Sequence, residues 1–209
     1  MCRACLKINF VKAVNKFEIS YGSRQGKGKA NEDACNVKHM PDGSLLCIVA
    51  DGMGGTDLPL VAAGIAVEKI SSPERIEDAE ADLKNALIAA NDAICEESIR
   101  LDCSMGCAVA AILICGDMLY YSSVGNVRVY VTSVDGNQRQ VTEDDIYKAE
   151  NGNVYLTASL SGKEIDPGVD SISLDGIASV LVCSDGYYNN DEEDDSTWVK
   201  IKLNTIWQT

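Results

Sequence analysis

Two aspartates that follow apolar stretches are the strongest candidates for chemistry in this sequence. Asp51 follows the stretch 45–50 and opens a glycine-rich turn, and Asp185 follows the stretch 179–184 and precedes another glycine. Hard divalent cations prefer carboxylate and carbonyl oxygens, and the backbone of Gly52 can approach a ligand closely because it has no side chain. A single Asp-Gly pair usually marks only a turn. Two such strands, however, predict that both carboxylates converge on one metal cluster.

A basic, glycine-punctuated segment, residues 22–30, leads directly into Glu32 and Asp33. Its cations are Arg24, Lys27 and Lys29. In so acidic a protein, cations beside acids predict an anion that the cations bind and that lies next to a metal. The alternative is a solvated, flexible loop, which is the better interpretation when the segment is considered alone.

The strand that ends at Asp51 needs a neighbouring strand to pair with and other elements to bury its apolar side chains. The turn at 41–44 predicts a hairpin in which Asp33 and Asp51 lie near opposite ends of paired strands. Helices are predicted next, over 60–70 and from about 76 to 101. The second helix has a single apolar stripe, which is typical of a helix packed on a core. The stripe consists of Leu83, Leu87, Ala90 and Ile94.

The rest of the chain is predicted to be mainly β-structure. Outside the hairpin, strands are expected at 17–20, 106–115, 119–131, 179–183 and 197–203. The strand 119–131 is expected to be continuous, with Val124-Gly125-Asn126-Val127-Arg128 in its middle. Residues 139–170 are polar and mixed. The order of strands, two helices and further strands predicts an α+β fold, a sandwich of antiparallel sheets with helices packed on them.

Length and charge limit the classes of function. The 209 residues fit one domain, 1–209, in which the segment 1–18 has no assigned role. The chain carries 18 Lys and Arg against 32 Asp and Glu, and its net charge of -14 argues against nucleic acid or an anionic membrane as a partner. No apolar run reaches the roughly 20 residues of a membrane helix, and the start lacks a signal-peptide core, so we expect a cytoplasmic protein.

The nine cysteines do not indicate a disulfide framework. Their number is odd, and most of them lie within apolar runs, where cysteine behaves as a small hydrophobic residue.

A series of motifs in a fixed order resembles the metal-dependent protein phosphatases of the type 2C family, especially the bacterial members. The resemblance covers most of the chain from about residue 19 onward. The motifs are Asn31-Glu32-Asp33-Ala34, Asp51-Gly52-Met53-Gly54-Gly55, Met105-Gly106, Val124-Gly125-Asn126-Val127-Arg128-Val129-Tyr130, Val141-Thr142-Glu143-Asp144-Asp145, Cys183-Ser184-Asp185-Gly186 and Asp194-Asp195-Ser196-Thr197.

The resemblance implies a sandwich of two antiparallel β-sheets flanked by α-helices, with two Mn²⁺ or Mg²⁺ ions in a cleft. Asp51 would bridge both ions, and the Gly52 carbonyl would support one of them. Asp185 and Asp194 would complete the ligands of the other ion. This donor set agrees with the preference of hard cations for oxygen.

The implied reaction is hydrolysis of phosphoserine or phosphothreonine in a phosphorylated protein by a metal-bridging hydroxide. Glu32 and Asp33 would hold water molecules on the metals. The residues with catalytic roles would be Asp33, Asp51 and Asp185. A cytoplasmic hydrolase of this kind acts in signalling.

The sequence departs from the family pattern at three places. Asn126 replaces the usual acid of a third, weaker metal site, which should weaken or abolish that site. Gly28 occupies the position of the usual phosphate-binding arginine, so that Lys29, Lys27 or Arg24 would have to substitute for it. The segment 186–193 is short where family members insert helices. The last metal ligand could therefore also be Asp195 or Asp191, and the shortened cover could favour a protein partner.

These departures leave two hypotheses open. The first is an active phosphatase, because the acids of the two-metal site are present. The second is a degenerate module that binds metal and a phosphorylated partner with little or no turnover.

Overall fold

A computed structural model describes residues 7–14, 16–27 and 30–204 of the chain. The strands in these residues are β1 (Lys7–Val14), β2 (Phe17–Arg24), β3 (Asp33–His39), β4 (Leu45–Gly52), β5 (Cys107–Cys115), β6 (Met118–Val124), β7 (Arg128–Ser133), β8 (Gln138–Gln140), β9 (Ile146–Lys148), β10 (Val154–Leu156), β11 (Asp170–Ser173), β12 (Ile177–Cys183) and β13 (Ser196–Leu203). The helices are α1 (Pro59–Ile70), α2 (Ala79–Leu101) and the short α3 (Asp185–Tyr188).

Two antiparallel sheets form the body of the molecule. The six-stranded sheet has the order β1-β2-β13-β12-β7-β8, and the five-stranded sheet has the order β11-β6-β5-β4-β3. Apolar side chains from both sheets form one buried core between them. A separate two-stranded hairpin consists of β9 and β10. The predicted α+β sandwich of antiparallel sheets is therefore confirmed.

A second core lies between the five-stranded sheet and the helices α1 and α2. The predicted stripe of α2 is confirmed, because Leu83, Leu87, Ala90 and Ile94 are all buried there. This helix begins at an N-cap, since the Asp78 side chain accepts a hydrogen bond from the Ala81 N–H at 3.1 Å. The four-residue α3 contacts the six-stranded sheet through β13.

The prediction of one continuous strand over 119–131 is wrong. The chain leaves the five-stranded sheet after β6 and enters the six-stranded sheet as β7. Gly125 makes this crossing possible, because it has a φ of +102° and because a Cβ atom there would lie 2.5 Å from the Cβ of Ala108. Regular pairing cannot continue through a residue in that conformation.

Three further expectations can be compared with the described residues. The strand predicted at 17–20 extends to Arg24, so the basic segment begins within β2 and not in a loop. The seven cysteines among the described residues are all free thiols. No helix within those same residues is long and apolar enough to cross a membrane.

Candidate active site

The two predicted aspartates, Asp51 and Asp185, line one cavity of about 300 Å³, here called the acidic cavity. Asp51 is the second-last residue of β4, and Asp185 begins α3 shortly after β12 ends. A third carboxylate, that of Asp194, reaches the cavity from residues 189–195, here called the acidic loop. The other lining residues are Gly52, Met53, Gly54, Ala108, Asn126, Val154 and Leu156.

Asp33 lies directly opposite Asp51 in the antiparallel register of β3 and β4. Its side chain is only 7% exposed, and its Oδ2 accepts a hydrogen bond of 2.9 Å from the Ser184 hydroxyl. Its Oδ1 is buried without a hydrogen-bond partner. Burial raises the pKa of Asp33 to about 6, although hydrogen bonds from Thr197 and Ser184 oppose that rise.

The pKa values of the two central aspartates rise for similar reasons. Burial raises the pKa of Asp51 well above its ordinary value, and the charges of Asp33 and Asp185 raise it further. Burial also raises the pKa of Asp185, and the nearby charge of Asp194 is the next cause. Oδ1 of Asp185 is another buried carboxylate oxygen without a hydrogen-bond partner. Like charges held this close favour a proton or a cation between them.

Gly52 occupies a position where no side chain fits. A Cβ atom there would lie 2.6 Å from the Pro59 carbonyl oxygen and 2.7 Å from that of Glu32. The Gly52 N–H donates to the same Glu32 oxygen at 3.2 Å, which ties the end of β4 to the loop before β3. The side-chain Oε2 of Glu32 lies 4.0 Å from the place of a Cβ on Gly54. The Glu32 carboxylate therefore lies beside the glycine-rich turn.

The carboxylates of the acidic loop have different environments. Asp194 lines the acidic cavity. Asp195 is only 3% exposed, and its two carboxylate oxygens accept hydrogen bonds of 2.8 Å from the N–H groups of Gly26 and Glu32. Asp191 is exposed. Of the three acids left open for the last metal position, Asp194 is the one that lines the cavity.

The basic residues expected at the phosphate are bound to the acidic loop instead. A terminal nitrogen of Arg24 donates to the backbone oxygen of Asp191 at 2.6 Å. Lys27 forms ion pairs of 2.9 and 3.1 Å with two glutamates of this loop on the exposed surface. Neither Arg24 nor Lys27 is among the residues that line the acidic cavity. Lys29 lies outside the described residues.

Comparisons with known proteins identify the family of this chain. A family model described as Protein phosphatase 2C matches residues 22–208, which is most of the chain. The chain belongs to the protein phosphatase 2C family. The resemblance inferred from the ordered motifs is thereby confirmed, although no curated protein matches the chain in sequence.

The fold is similar to those of several solved phosphatase structures. The serine/threonine phosphatase PstP/Ppp of Mycobacterium tuberculosis superposes with a TM-score of 0.77 at 24% identity, over 90% of this chain and 99% of that one. The phosphatase Stp1 of Staphylococcus aureus gives a TM-score of 0.80 at 17% identity, over 89% of this chain and 94% of that one. The catalytic domain of PstP in complex with two manganese ions gives a TM-score of 0.74 at 24% identity, over 90% of this chain and 98% of that one.

The fit of divalent cations to this family member can be judged from its own atoms. Two buried carboxylate oxygens, on Asp33 and Asp185, lack partners, and oxygen is the donor that Mg²⁺ and Mn²⁺ prefer. Within the described residues, no three His, Cys, Asp or Glu side chains form a closed ligand group. Carbonyl and water oxygens would therefore have to complete the coordination, as is usual for Mg²⁺. The residues present fit cations that keep several water ligands.

Three contacts in this site were missed by the sequence analysis. The Ser184 hydroxyl donates a hydrogen bond to Asp33, and the Asn126 amide donates one to Asp185. The Asp195 carboxylate accepts hydrogen bonds from two backbone N–H groups. Ser184 carried a usable signal, because it is a hydroxyl residue at the end of an apolar strand, directly before an aspartate. The contacts of Asn126 and Asp195 join residues far apart in sequence and carried no such signal.

Proposed function

We propose that this chain is a metal-dependent protein phosphatase that hydrolyses phosphoserine and phosphothreonine in protein substrates. The observation that carries the proposal is the convergence of three carboxylates, those of Asp51, Asp185 and Asp194, on one cavity. Membership of the protein phosphatase 2C family supports it, and so does the relative with two bound manganese ions.

Each group near the cavity has a proposed task toward two Mn²⁺ or Mg²⁺ ions. The carboxylates of Asp51, Asp185 and Asp194 would hold the ions in the acidic cavity. When bound, two divalent ions make a water molecule nucleophilic at neutral pH and neutralise charge on the phosphoryl group. The groups proposed to bind them directly or through water are Glu32, Asp33, Asp51, Gly52, Asp185 and Asp194.

The chain's own residues favour water as the attacking group. Among the described residues that line the acidic cavity there is no Ser, Thr, Cys or His that could attack phosphorus. Ser184 holds Oδ2 of Asp33, so the remaining oxygen of this carboxylate is the one available to orient a water molecule. The phosphate itself would be bound by Lys29, Lys27 or Arg24. For Lys27 and Arg24 this requires that they first leave their partners in the acidic loop.

The second candidate function is a module that binds metal and a phosphorylated partner with little turnover. Two observations favour it: an uncharged Asn126 lines the cavity, and the described basic candidates are paired elsewhere. It predicts metal binding without hydrolysis.

Hydrolysis of para-nitrophenyl phosphate and of a phosphothreonine peptide tests the proposal. We expect turnover with Mn²⁺ or Mg²⁺, none with chelator, and at least a hundredfold loss in Asp185→Asn because one ion loses a charged ligand (about two orders of magnitude or more is usual for such groups). Asp175→Asn serves as the matched control, because Asp175 is exposed and lies outside the cavity. Its activity should stay at the level of the unsubstituted chain.

Two results would decide against an active enzyme. Metal binding without turnover on either substrate would favour the binding module. Full activity in Asp185→Asn, or activity that persists in chelator, would contradict the two-metal mechanism itself.

A further inference from the structure

We propose that Asn126 is a positioning residue, whose amide holds one oxygen of Asp185 so that the other oxygen is presented to the proposed cations. The inference rests on the metal-binding part of the proposed function. It assigns a role to the residue that stands in place of an acid, and this role depends on the amide hydrogen.

The contact itself is direct and selective for one oxygen. Nδ2 of Asn126 donates a hydrogen bond of 3.0 Å to Oδ2 of Asp185, and both residues line the acidic cavity. Oδ1 of Asp185 is buried and has no hydrogen-bond partner. The two oxygens of this carboxylate are thus distinguished before any ligand enters. Fixing one oxygen removes the rotation about χ2 that would otherwise have to be lost on binding.

The backbone of Asn126 is held as well. The Tyr188 hydroxyl donates to the Asn126 carbonyl oxygen at 3.1 Å. The Tyr188 ring lies under the Arg128 guanidinium, whose central carbon is 3.7 Å from the ring centroid. Arg128 in turn forms a forked pair with Asp144 through hydrogen bonds of 2.5 to 3.1 Å. A connected set of contacts therefore fixes both the amide and the carboxylate that it holds.

Charge explains why an amide can do this and an ionised acid cannot. Asp185 already lines the acidic cavity together with the carboxylates of Asp51 and Asp194. An ionised acid at position 126 could not donate a hydrogen bond and would add repulsion. The amide of Asn126 supplies the donor without adding charge.

The test is calorimetric titration of Mn²⁺ into the metal-free protein, which measures affinity without turnover. Removing a group that orients a metal ligand typically weakens metal binding by about 10-fold to 100-fold, and we expect Asn126→Ala to fall in this range. Tyr188→Phe removes the hydroxyl that holds the Asn126 backbone and should cost about threefold. Tyr187→Phe is the matched control. Tyr187 packs on Trp198 with 5.2 Å between the ring centroids. The affinity of the Tyr187→Phe variant for Mn²⁺ should be unchanged.

Melting temperatures in chelator separate positioning from a structural role. We expect Asn126→Ala to melt close to the unsubstituted chain while it binds Mn²⁺ more weakly. Unchanged affinity in Asn126→Ala overturns the inference, and so does a loss of affinity that merely follows a large fall in melting temperature. Failure of the unsubstituted chain to bind Mn²⁺ also overturns it.

A parallel assay with para-nitrophenyl phosphate reports on the proposed function separately. Turnover by the unsubstituted chain, together with equal Mn²⁺ affinities of this chain and Asn126→Ala, would support the phosphatase activity and reject the role of Asn126. Weaker binding in Asn126→Ala without turnover in any variant would retain that role and reject the active enzyme.

Discussion

Replacing Asp195 by alanine should destabilise the protein more than any other single change in the acidic loop. The side chain is 3% exposed and accepts hydrogen bonds of 2.8 Å from the N–H groups of Gly26 and Glu32. A hydrogen bond to a charged group contributes about 1.5 to 3 kcal/mol, so two of them predict a loss of at least about 3 kcal/mol. Because both donors belong to the loop before β3, the substitution should also release Glu32 from its place beside the glycine-rich turn.

Urea denaturation in chelator measures this loss directly, without any contribution from metal binding. Asp195→Asn keeps one acceptor oxygen and turns an N–H toward the second donor, so we expect about half to all of the loss seen with alanine. Asp191→Ala is the matched control, because the side chain of this exposed aspartate accepts a hydrogen bond from the Glu193 N–H at 2.9 Å. It should change the free energy of unfolding by less than about 1 kcal/mol. A loss below about 1 kcal/mol in Asp195→Ala would refute the structural role assigned to this carboxylate.

Two further predictions concern the carboxylate at the start of β3 and the crossing between the sheets. The raised pKa of Asp33, about 6, means that the folded chain binds this proton more tightly than the unfolded chain. In chelator, the contribution of Asp33 to the free energy of unfolding should therefore fall by about 3 kcal/mol as the pH rises from about 4 through 6, and Asp33→Asn should remove this part of the pH dependence. Gly125→Ala should cost about 3 kcal/mol in thermal or urea unfolding, since it adds both backbone strain and a clash with Ala108. Gly136 has a φ of +88°, but an added Cβ there would have no atom within 4 Å, so Gly136→Ala should cost only about 1 kcal/mol. Equal losses of stability in the two variants would contradict the predicted clash at Gly125.

The sequence alone determined those features that depend on local pattern. The apolar runs that end at Asp51 and Asp185 predicted buried strands with acids at their ends, and both acids line the acidic cavity. The spacing in α2 predicted its buried stripe. Such features were predictable because a continuous apolar run and the 3.6-residue period of a helix are both visible in consecutive residues.

The sequence pattern failed where a distant contact overrides local propensity. The run 119–131 is rich in valine and tyrosine, which favour a strand. Ala108 of the neighbouring strand, however, leaves no room for a side chain at Gly125, and the chain changes sheets there. Composition predicted that the cations of the basic segment bind an anion next to a metal, but it could not predict their contacts within the protein. The tertiary structure instead pairs Arg24 and Lys27 with the acidic loop, which is more than 160 residues later in the chain.

The assignment of tasks among neighbouring acids was decided by tertiary structure alone. Asp194 and Asp195 are adjacent and chemically identical, so no sequence pattern distinguishes them. In the fold, one of them lines the cavity and the other binds two backbone N–H groups. The reason is that each side chain meets the surface that the packed loop places beside it, and distant parts of the chain supply that surface. Asn126 follows the same rule, because its partner Asp185 is 59 residues away and meets it only when the six-stranded sheet has formed.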